Sequence, residues 1–268
     1  MKQTFLFLAL LLVLAGCKKD KEKPAEILLT EIKLNGVVTT RMEYSSDNKF
    51  TRLENFSAGV LSSRFVFEYD ADGHISVLTT YGFPGETPFQ RVVFECDDQG
   101  NVKGTTNYDM LGGSPNTPIA KSTFTYNATG HITSVQSRDN DNILIYTQNF
   151  LYYPDGNLKE TQLWRPSGNQ LWMSNKSAYS IADDFQANGI DQLTGILGPD
   201  YVASLFSESA HNYTYNEGGV LLTHTNRLRS GHEFNENGSL RKQAQTTVFL
   251  KPIKPMEAAY LEYEYLVQ

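Results

Sequence analysis

Long apolar runs, cysteine and basic excess are all scarce in this chain of 268 residues. The one sustained apolar run, Phe5 to Leu14, is too short to cross a bilayer as a helix. Cysteine occurs twice, at Cys17 and Cys96, and tryptophan twice, at Trp164 and Trp172. Acidic residues outnumber basic ones by 30 to 23, for a formal net charge of −7. That sign disfavours nucleic acid and anionic lipid surfaces as partners. There is no Gly-x-Ser-x-Gly elbow and no phosphate-binding glycine loop. What is present is a 40% hydrophobic composition, ordinary for a soluble protein, in a chain long enough for one sizeable core.

The N-terminus stands apart. "MKQTFLFLALLLVLAGC" has Lys2, the apolar run and then small residues ending at Cys17, the three-part build of a secretory signal. Leu14-Ala15-Gly16-Cys17 resembles a bacterial lipobox. The resemblance implies that residues 1–16 are removed as a signal peptide and that Cys17 receives a diacylglycerol and anchors the chain to a membrane. Residues 17–27, with "KKDKEKPAE" from Lys18 to Glu26, then form a charged tether that cannot fold by itself. With Cys17 so committed, Cys96 has no partner for an intrachain disulfide even in an oxidising compartment.

Residues 28–268 read as a single domain built on a repeat. The pattern is an apolar residue, any residue, Tyr, Asp, two free positions, Gly, any residue and an aliphatic. It occurs seven times, ending at Phe50, Ile75, Val102, Ile132, Leu158, Leu221 and Leu240. Asp or Asn at the fourth position caps a type I turn, and the residue three later takes a positive φ, where Gly costs nothing and Asn little. A type I turn followed by such a residue closes a bulged hairpin. On either side the chain alternates, with Phe65, Phe67 and Tyr69 on one face and Arg64, Val66 and Glu68 on the other. Cys96 occupies the slot where other copies carry Tyr or Phe, and reads as a packing residue without a redox role.

The spacing fits one hairpin and one return connection per unit, with the tips at one end and longer, Gly- and Pro-rich connections such as Tyr81 to Phe89 and Tyr108 to Pro118 at the other. The expected fold is all-β, an up-and-down antiparallel meander of about fourteen or more strands that curls or closes into a barrel, because accumulated twist and free edges forbid a flat sheet. The long fifth interval holds Ile190, Leu193, Ile196 and Leu197 at helical spacing, so a short helical insert is expected near 183–209, where its apolar stripe could fill the lumen.

The repeat resembles the tyrosine-aspartate repeats of bacterial Rhs-type proteins, which wind into β-shells, although nothing matches their C-terminal processing core. Together with the Cys17 lipobox, the Lys-rich tether and the length, it resembles lipoproteins of Bacteroidota classed as a domain of unknown function with a porin-like fold. That resemblance implies a barrel-like meander on the outer membrane and carries no activity or functional residues. A membrane-inserted wall is not expected, because the polar faces carry Arg64, Glu68, Arg91 and Glu95 where a transmembrane strand needs an outward apolar band.

No catalytic set, metal centre or cofactor site emerges. His74 and His131 follow a turn glycine and read as solvent-exposed; His232 takes an aromatic slot. His211, His224 and His232 are the one set that neighbouring strands could bring around zinc, but no His-x-x-x-His spacing supports it. Asp70, Asp97 and Asp155 belong to turns. Binding is the better expectation. Tyr81, Phe83, Phe89, Tyr108, Trp164 and Trp172 fall at the long-loop end, and aromatic rings beside Asn and Asp stack on sugars or anchor proteins. Trp164 and Trp172 flank "RPSGNQL" and are expected to face each other across a hairpin. The sequence therefore reads as a non-catalytic, lipid-anchored envelope protein that binds a glycan or a partner protein. The alternatives are a lumen carrying a lipophilic molecule and a hydrolase without a linear motif.

Overall fold

The computed structural model describes residues 27–111, 117–166, 170–178, 209–215, 220–236 and 239–267. Strand β1 is Ile27–Leu34, β2 Val37–Tyr44, β3 Phe50–Ser57, β4 Val60–Tyr69, β5 Ile75–Gly82, β6 Thr87–Cys96, β7 Val102–Asp109 and β8 Pro118–Tyr126. Next come β9 Ile132–Arg138, β10 Leu144–Tyr152, β11 Leu158–Arg165, β12 Gln170–Ala178, β13 Ser209–Tyr215, β14 Leu221–Phe234, β15 Leu240–Lys251 and β16 Ile253–Val267. Each strand pairs antiparallel with its sequence neighbours, and β1 pairs with β16, so sixteen strands close into an up-and-down barrel. No helix occurs among the described residues; the helical insert expected at 183–209 lies outside them, apart from Ser209, which opens β13.

The repeat builds the hairpins as its turn chemistry requires. Asp70 Oδ1 accepts the N–H groups of Asp72 and His74 at 3.0 and 2.8 Å, Gly73 N–H donates to the Asp70 carbonyl at 3.1 Å, and Gly73 sits at φ 85°. In the first copy Asn48 takes the same place at φ 62°. The register shifts by one residue beside each turn, between Glu68 and Tyr69 for example, which is the expected bulge.

Strand parity corrects one expectation. The tips were expected at one end, but the 63-residue interval holds three strands, β11, β12 and β13, so β13 ends and β14 begins at the opposite end. The other six turns share one end, here the turn rim, with Ile27 and Val267. The opposite end, the loop rim, mixes longer connections with two-residue turns at Asn35-Gly36 and Ala58-Gly59, whose central residues all have positive φ.

In a closed barrel alternate side chains face the lumen. The buried face carries the core, an apolar band inside the turn rim. Leu29, Met42, Phe50, Leu53, Phe67, Ile75 and others form one cluster, and Ile132, Val135, Phe150 and Leu158 a second. Phe124 packs against both. Phe50 and Phe67 meet at 4.7 Å between ring centres. A few residues farther from the turns the buried residues become polar, with Thr80, Ser122, Ser137, Arg229 and Gln243.

The tyrosines of the repeat do more than pack. Tyr44 donates its hydroxyl to the Leu29 carbonyl at 2.8 Å, Tyr69 to Phe50 at 2.6 Å, Tyr126 to Val102 at 2.7 Å and Tyr152 to Ile132 at 2.7 Å. Each bond reaches the preceding strand near the turn rim, and in the last three the acceptor is that strand's opening residue, which ties the two strands of one connection together. Cys96 keeps the same geometry, its Sγ 3.5 Å from the Ile75 carbonyl, and burial pushes its thiol pKa up.

Two of the residues that follow a turn glycine also have a role that their reading as solvent-exposed missed. His74 and His131 are half-buried. His74 lies against Gly100 of the next turn and His131 against Gly156, so closely that a Cβ at Gly100 would stand 2.9 Å from His74 Cδ2.

The outer face is charged. Lys33 pairs with Glu264 and Arg41 with Glu31 at 3.0 Å. Arg52 meets Glu43 at 3.1 Å, Arg64 meets Glu54 at 2.9 Å, and Lys242 meets Glu262 at 3.3 Å. These pairs interrupt any continuous apolar band of the kind a lipid-facing wall requires.

Candidate binding surface at the loop rim

The aromatic residues singled out by sequence all lie toward the loop rim, in two groups on the circumference. Tyr81 is on β5, Phe83 directly follows it, Phe89 is on β6 and Tyr108 on β7; Trp164 and Trp172 are on β11 and β12. All six are half-buried. The first group is braced by cations. The Arg64 guanidinium lies 5.0 Å from the Phe83 ring centre while its nitrogens reach Glu54 at 2.9 Å and Glu86 at 3.6 Å. Arg64 stands opposite Tyr81 in the register, and Arg91 opposite Tyr108, 6.0 Å from its ring.

In the second group Arg165 covers Trp172 at 4.0 Å, and Trp164 Nε1 donates to Gln162 Oε1 at 3.3 Å. A register shift between Leu163 and Trp164 sets Trp164 opposite Leu171. The two indoles form no aromatic pair among the described residues; each has its own partner. A guanidinium over one face of a ring restrains its orientation.

Sequence reading missed the apolar character of the rim itself. Val60 is 69% exposed, Leu111 66%, Met256 65% and Ile143 61%, each beside a connection at this end. The signal was present as aliphatic residues flanking turns, but single exposed aliphatics are ordinary on any surface. Only the strand order sets all four at the same end of the barrel, at separate points of its circumference.

Among the described residues no group of three or more His, Cys, Asp or Glu side chains converges. The structure brings together two of the three histidines considered for zinc: the His211 and His224 rings are 5.8 Å apart, with Tyr213 stacked on His224 at 4.3 Å. His232 is elsewhere on β14, beside Phe234 near the turn rim. Burial, then His224, then Lys176 lower the His211 pKa from its ordinary value. No helix of the described residues is long and apolar enough to cross a membrane.

These features define a sixteen-stranded antiparallel barrel with a charged outer face and an apolar, ring-bearing rim. Neither a protein family nor a curated protein matches the chain. Among solved structures it is similar to a porin-like protein from Bacteroides uniformis, with 11% identity over 90% of this chain and 95% of that one and a TM-score of 0.54. A porin-like protein from Bacteroides vulgatus aligns over 89% of this chain and 99% of its own, at 12% identity and a TM-score of 0.48. The first likeness shows a shared porin-like fold. In the TcdB2-TccC3-Cdc42 structure this chain spans 13% of the aligned chain's length at a TM-score of 0.34, too low for that likeness to bear on the fold.

Proposed function

We propose that this chain is a non-catalytic protein of the cell envelope, held at the outer membrane through lipidated Cys17, that binds a partner protein or a glycan through its loop rim. The observation that carries the reading is the rim itself, where exposed Val60, Leu111, Ile143 and Met256 stand with the cation-braced rings of Phe83, Tyr108 and Trp172. Exposed apolar side chains recurring around one end of the barrel support a contact surface there. The ion pairs on the outer face favour a barrel that stands in water and is tethered by its N-terminus over one that is inserted. Buried Thr80, Ser137, Arg229 and Gln243 beyond the apolar band disfavour a lipophilic cargo in the lumen.

The test uses two variants, Trp164→Ala with Trp172→Ala, and Val60→Ser with Ile143→Ser and Met256→Ser. The aliphatic variant should leave unfolding stability within about 1 kcal/mol, as surface changes do, and the tryptophan variant, which loses two half-buried rings, should stay folded as judged by its thermal transition. At least one should abolish capture on a glycan array or of a cross-linked envelope protein. Capture that survives both variants, or none by the parent chain, refutes the reading.

A further inference from the structure

We propose that His211, His224 and Asn226 form a binding site for one late first-row divalent transition ion, zinc or copper(II), on the outer face of β13 and β14. The site does not depend on the loop-rim reading. The register sets it up. His211 lies directly opposite Asn226, and Tyr213 directly opposite His224, so the three polar side chains occupy adjacent positions on one face of the two-stranded ladder. His211 Nδ1, His224 Nε2 and Asn226 Oδ1 are all shielded from solvent and make no hydrogen bond. Shielded polar atoms without a partner are rare, and three on neighbouring side chains call for a common ligand.

The ring geometry fits one ion. A metal–nitrogen bond of about 2.0–2.1 Å sets an imidazole centre about 3.2 Å from the metal, so two rings on one ion stand at most about 6.4 Å apart. The observed 5.8 Å, with 35° between ring planes, lies within that limit. Tyr213, stacked on His224 at 21° between planes, steadies that ring. The donor set of two imidazole nitrogens and one amide oxygen suits zinc or copper(II) better than calcium or magnesium, which take oxygen ligands. Lys176, opposite His211 on β12, and Lys251, opposite His224 on β15, are the cations in register with the two histidines, and their charge sets the affinity below what the donors alone would give.

The experiment titrates the mature, detergent-solubilised chain with zinc sulfate by calorimetry and with copper(II) by electron paramagnetic resonance. One ion per chain is expected, with nitrogen hyperfine structure in the copper spectrum. His211→Ala and His224→Ala should each weaken binding by at least about tenfold, and Asn226→Asp, which supplies a carboxylate, should tighten it by a similar factor. Lys176→Met should also tighten it, while His232→Ala should change nothing. Because Asn226→Asp is a gain, a folding defect cannot mimic it. Absence of binding, an unchanged affinity in either histidine variant, or loss through His232 alone overturns the proposal.

Discussion

Replacing Tyr69 by Phe removes one oxygen and tests whether hydroxyls hold the repeats together. The phenol donates to the Phe50 carbonyl at 2.6 Å from a half-buried ring. A neutral hydrogen bond contributes about 1 kcal/mol net, and a shielded carbonyl left without its donor raises the cost toward about 2 kcal/mol. Tyr126→Phe removes the equivalent bond to Val102 at 2.7 Å, two hairpins away, so the double variant should lose the sum of the two, about 2–4 kcal/mol. Urea unfolding followed by tyrosine fluorescence measures it. The same bonds predict an alkaline limit. Burial raises the Tyr69 and Tyr126 phenols from their ordinary 10.0 to about 12. A pKa higher in the folded than in the unfolded state means stability is fully present below pH 10 and is lost as pH rises from about 10 to 12. In the double Phe variant that part of the decline should disappear. A double variant within about 0.3 kcal/mol of the parent, with an unchanged alkaline profile, would refute the argument.

Three further outcomes follow from the geometry. Gly100→Ala at φ 85° should cost about 1–2 kcal/mol from backbone strain and more from the His74 ring; in a His74→Ala background only the backbone part should remain, which a double-mutant cycle resolves. Arg64→Ala should destabilise by about 1–3 kcal/mol, because Glu54 is buried and loses its cation, and Arg64→Lys should recover only part of it since the fork over Phe83 is lost; thermal unfolding of the three proteins decides this. Cys96 should react with iodoacetamide at pH 8 at least about tenfold more slowly than a free thiol, because burial raises its pKa; equal rates would show an open thiol.

The hairpins were legible because their causes are local. Asp70, Gly73 and Ile75 specify a bulged turn through contacts within six residues, and alternation around Phe67 assigns the buried face without knowledge of any partner strand. The class of fold followed from the number of such units. The bond from Tyr69 to Phe50 could not be read, because a tyrosine in an apolar slot looks the same whether its hydroxyl finds water or a carbonyl nineteen residues earlier. The same holds for His74 against Gly100, which looked solvent-exposed until the neighbouring turn was in place.

Functional surfaces were less legible for the same reason. Trp164 and Trp172 were named from composition, yet a one-residue register shift gave each a separate partner. His211 and His224 were considered together with His232, which lies farther along β14, whereas pairing between β13 and β14 sets Asn226 opposite His211. Turn chemistry is written in short stretches of chain, so the amino-acid order alone determined the ribbons and their oily side. Which ribbon ends meet and which side chains stand across from one another depend on strand pairing and on closure between β1 and β16, and that is decided by the summed twist and register of all sixteen strands.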